Sequence, residues 1–188
     1  WRQRQISQGR PHSWLSAPCK GAALQFAQAK RDTHTPTDFI RTQLPNRSDN
    51  MDGLTVKYNE LTADEFTEIW QSVWGDAPDS RQTALAMEHT LFRVSVYDGD
   101  KPVAMARLLG DMGLNYYIKD VAVKPQYQKK GIGRLLIDEL LKFIRQNGVS
   151  GTDIFVELCA VPDKIPFYEK FGFDYNDAKR LKMMVKAE

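Results

Sequence analysis

The sequence predicts an α/β fold, a mixed sheet with flanking helices and one long helix crossing between strands. Three observations carry this. Runs at 54–59, 92–97 and 103–109 have the alternation or apolar continuity of strands. The run 131–147 sets Leu135, Leu136, Leu140, Leu141, Phe143 and Ile144 on one helical face. The 188 residues are 42% hydrophobic and 27% charged, the balance of a globular protein and too apolar for full disorder.

The elements follow in order. Residues 54–59 alternate as a strand. Thr62 then caps a helix, and Glu65 three residues on completes a capping box. Phe66, Ile69, Trp70, Val73 and Trp74 recur at helical spacing, which places both tryptophans in the core, and Gly75 stops the helix. Asp79 or Ser80 opens a second helix to about His89. The strands 92–97 and 103–109 flank Asp98-Gly99-Asp100, a hairpin signal. Asp111-Met112-Gly113 turns the chain into a strand over 116–123, ended by Lys124-Pro125. The long helix stops at Gly148. Residues 154–160 are largely apolar, as expected of a strand buried on both faces. A short helix over 166–171 ends at Gly172, and 180–186 is a last strand. The predicted order is β-α-α-β-β-β-α-β-α-β.

Several function classes fall away. No run of 18 or more apolar residues exists, so no transmembrane helix is expected. Two cysteines, Cys19 and Cys159, exclude a disulfide framework or a Cys-rich zinc site. Cys159 reads as a small buried hydrophobe rather than a nucleophile. The three histidines are scattered, without metal-ligand spacing, so no metal is expected. The formal net charge of +2 is uneven: residues 1–50 carry eight basic and three acidic residues, and 51–188 carry 18 and 21. The folded part is thus net acidic, against a nucleic-acid partner. Residues 1–50 lack methionine and are rich in Gln, Arg, Ser, Thr and Pro. They read as a basic, disordered extension ahead of a domain at 51–188, either appended sequence or sequence translated upstream of a start at Met51. A targeting peptide and a basic arm are the other readings. The expected protein is cytoplasmic, a monomer or homodimer, without membrane attachment.

The chemically informative stretch runs from Asp120 to Arg134, where the Val121-Ala122-Val123 strand leads through a glycine-bearing loop into the long helix. The first N–H groups of a helix lack intrahelical partners, and the helix dipole makes that end favourable for phosphate. Gly131 and Gly133 let the backbone approach a ligand, and Lys129, Lys130 and Arg134 add positive charge. Neither a P-loop nor a dinucleotide fingerprint is present.

Gln128-Lys129-Lys130-Gly131-Ile132-Gly133 resembles the [RQ]-x-x-G-x-[GA] signature of the GNAT acetyltransferase superfamily, and Phe167-Tyr168-Glu169-Lys170-Phe171-Gly172-Phe173 resembles that family's FYxKxGF segment. The resemblance covers about 54–186. It implies a GNAT-like fold with splayed central strands, and direct transfer of an acetyl group from acetyl-CoA to an amine. By the same resemblance, backbone N–H groups from Gln128, Lys129, Lys130, Gly131, Ile132 and Gly133 would hold the pyrophosphate. Val121 and Val123, flanking Ala122, would pair by backbone with the pantetheine arm. Tyr168 would give a proton to the departing thiolate, unless it is only a core tyrosine.

An ammonium has no lone pair, so a base or a water chain must deprotonate the acceptor. Tyr117, with Lys119 on the same strand face, is one candidate; Asp120 and Glu157 are others, and Glu157 also fits a structural pair. The family's Asn soon after the second-half strand is missing from Cys159-Ala160-Val161-Pro162, which leaves an Asn-mediated cofactor contact without a residue. Asp64, Glu65 and Glu68 are candidates to attract a cationic amine. Small amines, sugar amines, antibiotics and protein lysines stay open as acceptors. The competing reading is a CoA-binding sensor or scaffold without catalysis.

Overall fold

The computed structural model describes residues 47–51, 53–175 and 180–186. Eight strands form one sheet: β1 (Arg47–Met51), β2 (Leu54–Tyr58), β3 (Phe92–Asp98), β4 (Lys101–Gly110), β5 (Asn115–Val123), β6 (Asp153–Cys159), β7 (Asp174–Tyr175) and β8 (Arg180–Lys186). Their order across the sheet is β1-β2-β3-β4-β5-β6-β8-β7. All neighbouring strands are antiparallel except β5 and β6. The described residues form four α-helices, α1 (Ala63–Trp74), α2 (Ser80–Glu88), α3 (Ile132–Asn147) and the short α4 (Ile165–Glu169).

The first two helices start as their sequence dictates. Thr62 accepts the Glu65 N–H while the Glu65 carboxylate accepts the Thr62 N–H at 2.8 Å, a complete capping box. Asp79 caps α2 through the N–H groups of Arg81 and Gln82. At the β4–β5 turn the Asp111 carboxylate accepts N–H groups from Gly113, Leu114 and Asn115. Those three bonds favour the charged form and lower its pKa to about 2.

β4 and β5 are covered on both faces. On one face α3 buries Leu136, Ile137, Leu140, Phe143 and Ile144 against strand residues such as Val94, Ala106, Ile118 and Val156. Phe92 of β3 stacks on Phe143 at 4.1 Å. Losing such a ring from a core costs about 3–5 kcal/mol. On the other face Phe66 and Ile69 of α1 and Met87 of α2 pack on Met105 and Ala122. β4 lies between the layers, and its residues from Pro102 to Leu108 are all buried.

Four expectations change. β1 and β7 were not expected as strands, and the boundary drawn at residue 50 falls inside β1; the readings of residues 1–46 lie outside the described residues. β6 alternates rather than being buried on both faces, with Ile154, Val156 and Leu158 inside and Phe155 44% exposed. No helix that is described covers its second face, which is why a nearly continuous apolar run has one wet side. Cys159 is exposed, not buried. Trp74 is 47% exposed, although it packs on Trp70 at a ring separation of 4.4 Å. Position i+4 from Trp70 carries it past the end of the α1 packing face.

Candidate active site

The site begins with a change of register. Arg107 of β4 faces Lys119 of β5, yet Met105 faces Ala122. Two residues of β5, Asp120 and Val121, therefore oppose Ala106, which makes a β-bulge. Asp120 takes a left-handed backbone with φ of 51°. The side-chain alternation inverts there. Tyr116 and Ile118 face the α3 side before the bulge; Val121 and Val123 do so after it, while Ala122 joins the α1 side.

β5 and β6 pair from Asn115–Phe155 to Ile118–Leu158 and then part. β5 continues to Val123 along β4, and β6 continues to Cys159 along β8. From Lys119 to Val123 the β6-side edge of β5 has no strand partner among the described residues. That is an edge able to accept an extended ligand as an added strand.

Beyond Val123 the chain makes a 3₁₀ turn, Pro125–Tyr127, and the loop Gln128–Gly131. The Gln128 side-chain amide donates through Nε2 to the Val123 carbonyl at 2.9 Å, which closes the loop on the end of β5. Lys129 has φ of 61°, and Gly131, with φ of 84°, is the helix N-cap in a region where glycine costs least. No side chain caps α3. Its first N–H groups are left to a ligand or solvent, as a phosphate site requires. Lys129, Lys130 and Arg134 are all exposed. Lys130 sits 5.3 Å over the Tyr127 ring, and Arg134 pairs with Asp138 at 3.6 Å and lies over Phe171.

α4 lies against this loop. A Cβ at Gly133 would stand 3.5 Å from the Phe167 ring, and Phe167 meets Tyr168 edge-on at 4.9 Å. Tyr168 also meets Phe173 edge-on. Burial among these rings raises the Tyr168 pKa from 10.0 to about 12. The two sequence segments that pointed to one activity are thus neighbours in space.

The base candidates lie on strands flanking the opening. Tyr117 and Glu157 are register partners one rung before β5 and β6 part, and both are half-buried. Lys119 is exposed, with its ammonium 5.8 Å from the Tyr117 ring. Asp120 is elsewhere engaged: Arg107 Nε donates to its Oδ2 at 2.6 Å, with both side chains nearly buried. Of the acids considered for a cationic acceptor, Glu65 closes the capping box and Glu68 pairs with the buried Lys124. Asp64 is exposed in the first turn of α1.

Three residues of this region escaped the sequence reading. Arg107 bridges Asp120 and Thr90, whose hydroxyl accepts from Nη1 at 2.9 Å. The available signal was an arginine inside the apolar strand run Val103-Ala104-Met105-Ala106-Arg107-Leu108, since a buried guanidinium demands a carboxylate. The third, Asp98, accepts from the Tyr127 hydroxyl at 2.7 Å, and nothing local in sequence marks it.

Comparison with known proteins agrees with this geometry. Over 114 residues the chain is 32% identical to the uncharacterized N-acetyltransferase ycf52 of Porphyra purpurea, covering 58% of this chain and 63% of that protein. Over 127 residues it is 29% identical to the chloroplastic GCN5-related N-acetyltransferase 1 of Arabidopsis thaliana, covering 66% of this chain and 62% of that protein. The chain spans less than two thirds of the length of these curated relatives. A solved structure from meticillin-resistant Staphylococcus aureus, a protein of unknown function described as a probable acetyltransferase, matches with a TM-score of 0.61 at 27% identity, covering 66% of this chain and 92% of that one. The family model for acetyltransferases of the GNAT type matches residues 57–173, well over half the chain and inclusive of the bulge, the Gln128–Gly131 loop and Tyr168. The chain belongs to the Acetyltransferase (GNAT) family.

Proposed function

We propose that this chain is an acetyl-CoA-dependent N-acetyltransferase acting on a primary amine, a small molecule rather than a protein. The observation that carries the reading is the parting of β5 from β6 directly beside the uncapped start of α3. A free strand edge leading to free helix N–H groups fits an extended pantetheine arm ending in a pyrophosphate. The N-acetyltransferase names of the relatives support an amine as acceptor.

Acetyl-CoA would supply an acetyl group activated as a thioester. The N–H groups from Lys129 to Gly133 hold the pyrophosphate, with Lys129, Lys130 and Arg134 adding charge; the Gln128 N–H, expected among them, donates instead to the Pro125 carbonyl at 3.2 Å. Val121 and Val123 offer main-chain groups to the arm, although the Val123 carbonyl already accepts from Gln128. Glu157 is the preferred base, because it is a carboxylate one rung from the opening, with Tyr117 beside it in register. It takes a proton from the incoming ammonium, directly or through one water, and frees the nitrogen lone pair. The C–N bond forms and the C–S bond breaks. Tyr168, with its pKa at about 12, is a weaker acid than a thiol of ordinary pKa about 8.5, so it keeps its proton. It stabilises the departing sulfur by donating a hydrogen bond, and the sulfur's proton comes from the attacking nitrogen.

The test combines calorimetric titration with acetyl-CoA and a screen of small amines and lysine peptides, read by mass of the acetylated product. Binding with transfer to a small amine is expected. Binding with transfer to no amine would leave a CoA-binding module, and absence of binding would remove the reading altogether.

A further inference from the structure

We propose that the buried Arg107–Asp120 pair positions the bulge in β5 and so sets the opening between β5 and β6. The ligand part of this inference rests on the acetyl-CoA reading above. Asp120 is then a positioning residue that acts through its strand and touches no reacting atom.

Four observations converge on it. Asp120 sits at the two-against-one register break with a left-handed backbone, a conformation that side chains other than Gly, Asn and Asp rarely hold. Its carboxylate is engaged by Arg107 through both Nε and Nη2, and the two side chains are only 7% and 11% exposed. The same guanidinium donates to the Ala86 carbonyl of α2 at 3.4 Å and to Thr90 Oγ1, just beyond that helix, at 2.9 Å, and lies 5.2 Å over the Phe66 ring of α1. One group thus fixes the bulge to both helices on that face. The opening starts within two residues of the bulge, since Ile118–Leu158 is the last β5–β6 rung.

The physical link is register. Bulges bend a strand and increase its twist, which turns the end of β5 away from the straight course of β6 along β8. Were Asp120 to return to an extended backbone, residues 121–123 would slip by one position. Val121 and Val123 would then leave the α3-side core and Ala122 would enter it. The tie to Arg107 opposes that slip. A carboxylate so engaged is withdrawn from the role of base, which is why Glu157 is preferred for it.

The test removes both charges together, because removing one would strand the other in the interior. In Arg107→Leu/Asp120→Ala the acetyl-CoA Kd should rise at least tenfold, with a melting temperature within a few degrees of the parent. Hydrogen exchange without any ligand should change at the amides of 119–123 and little elsewhere. Parental Kd together with parental exchange at 119–123 would overturn the proposal. Arg107→Gln/Asp120→Asn, which also removes both charges but tolerates the left-handed backbone and keeps hydrogen-bonding groups, should show the same two changes to a smaller degree. It decides the matter by the same readouts should the first variant not fold. A parent that binds no acetyl-CoA would sink the functional reading, and the exchange readout would still judge the strand opening by itself.

Discussion

The Tyr127 hydroxyl donates to the Asp98 carboxylate, tying the base of the loop before α3 to the tip of the β3–β4 hairpin. The same ring carries the Lys130 ammonium on its face. Asp98 also explains why the Tyr127 pKa is raised, since its carboxylate accepts from the neutral phenol.

Tyr127→Phe should therefore loosen the loop without unfolding the protein. The bond is exposed to solvent, so its loss should weaken the loop without costing the fold. The acetyl-CoA Kd should rise about three- to tenfold, with the melting temperature nearly unchanged. Titration of acetyl-CoA into both proteins checks it, and equal affinities would mean that the loop is held without Asp98.

At Gly133 the fold and the ligand make different demands. A Cβ there meets only ordinary contact with Phe167, so Gly133→Ala should fold and melt with the parent. Its acetyl-CoA affinity should still fall, because the Cβ stands where the pyrophosphate approaches. Gly133→Asp, which adds a charge that repels phosphate, should abolish measurable binding. Undiminished affinity in the aspartate variant would place the cofactor elsewhere.

Tyr168→Phe keeps the ring packing and removes the hydroxyl. Turnover should fall at least about tenfold, below the roughly 10²–10⁴-fold of general acid–base catalysis because the hydroxyl donates a hydrogen bond and keeps its proton, with acetyl-CoA affinity little changed. The parent should gain rate as pH rises and the amine deprotonates. No decline from the Tyr168 phenol is expected up to pH 10, because its pKa lies at about 12. A rate profile from pH 6 to 10 reads both points, and full turnover in a folded variant would take Tyr168 out of the mechanism.

Alkaline stability follows from two phenols. Burial pushes Tyr97, like Tyr168, up to about 12 from 10.0. The folded state therefore holds these protons more tightly than the unfolded state. The resulting stability is complete below pH 10 and is lost as pH rises toward 12. The melting temperature should drop between pH 10 and 11.5, and Tyr97→Phe should flatten that drop. Parallel slopes for parent and variant would show that Tyr97 has no part in it.

The sequence was most readable where local chemistry decides structure. Thr62 with Glu65 specifies a helix start within four residues, and Gly131 marks the loop before α3. Both motifs that later met in space were visible as strings. The bulge was not, because inverting the alternation at Asp120 needs β4 as a reference, and Val121-Ala122-Val123 reads equally well in either register. Asp120 therefore stood beside Glu157 as a base until Arg107, distant in sequence, accounted for its charge. Trp74 and Cys159 misled for a related reason. Apolarity predicts burial only where another element arrives to cover the site, and no described element covers those positions.

The one parallel contact in the described sheet has a consequence for assembly. β1 to β5 are joined by antiparallel pairings, many of them between neighbours in sequence, whereas β6 reaches β5 only after the chain has crossed by way of α3. Such non-local closure is the slow part of folding. The sheet therefore has a seam, with a meander on one side and the β6–β8–β7 group on the other. The opening lies on that seam, so a molecule seated in it touches both sides at once. It would act as a clasp, raising the melting temperature by mass action and damping separation of the two groups.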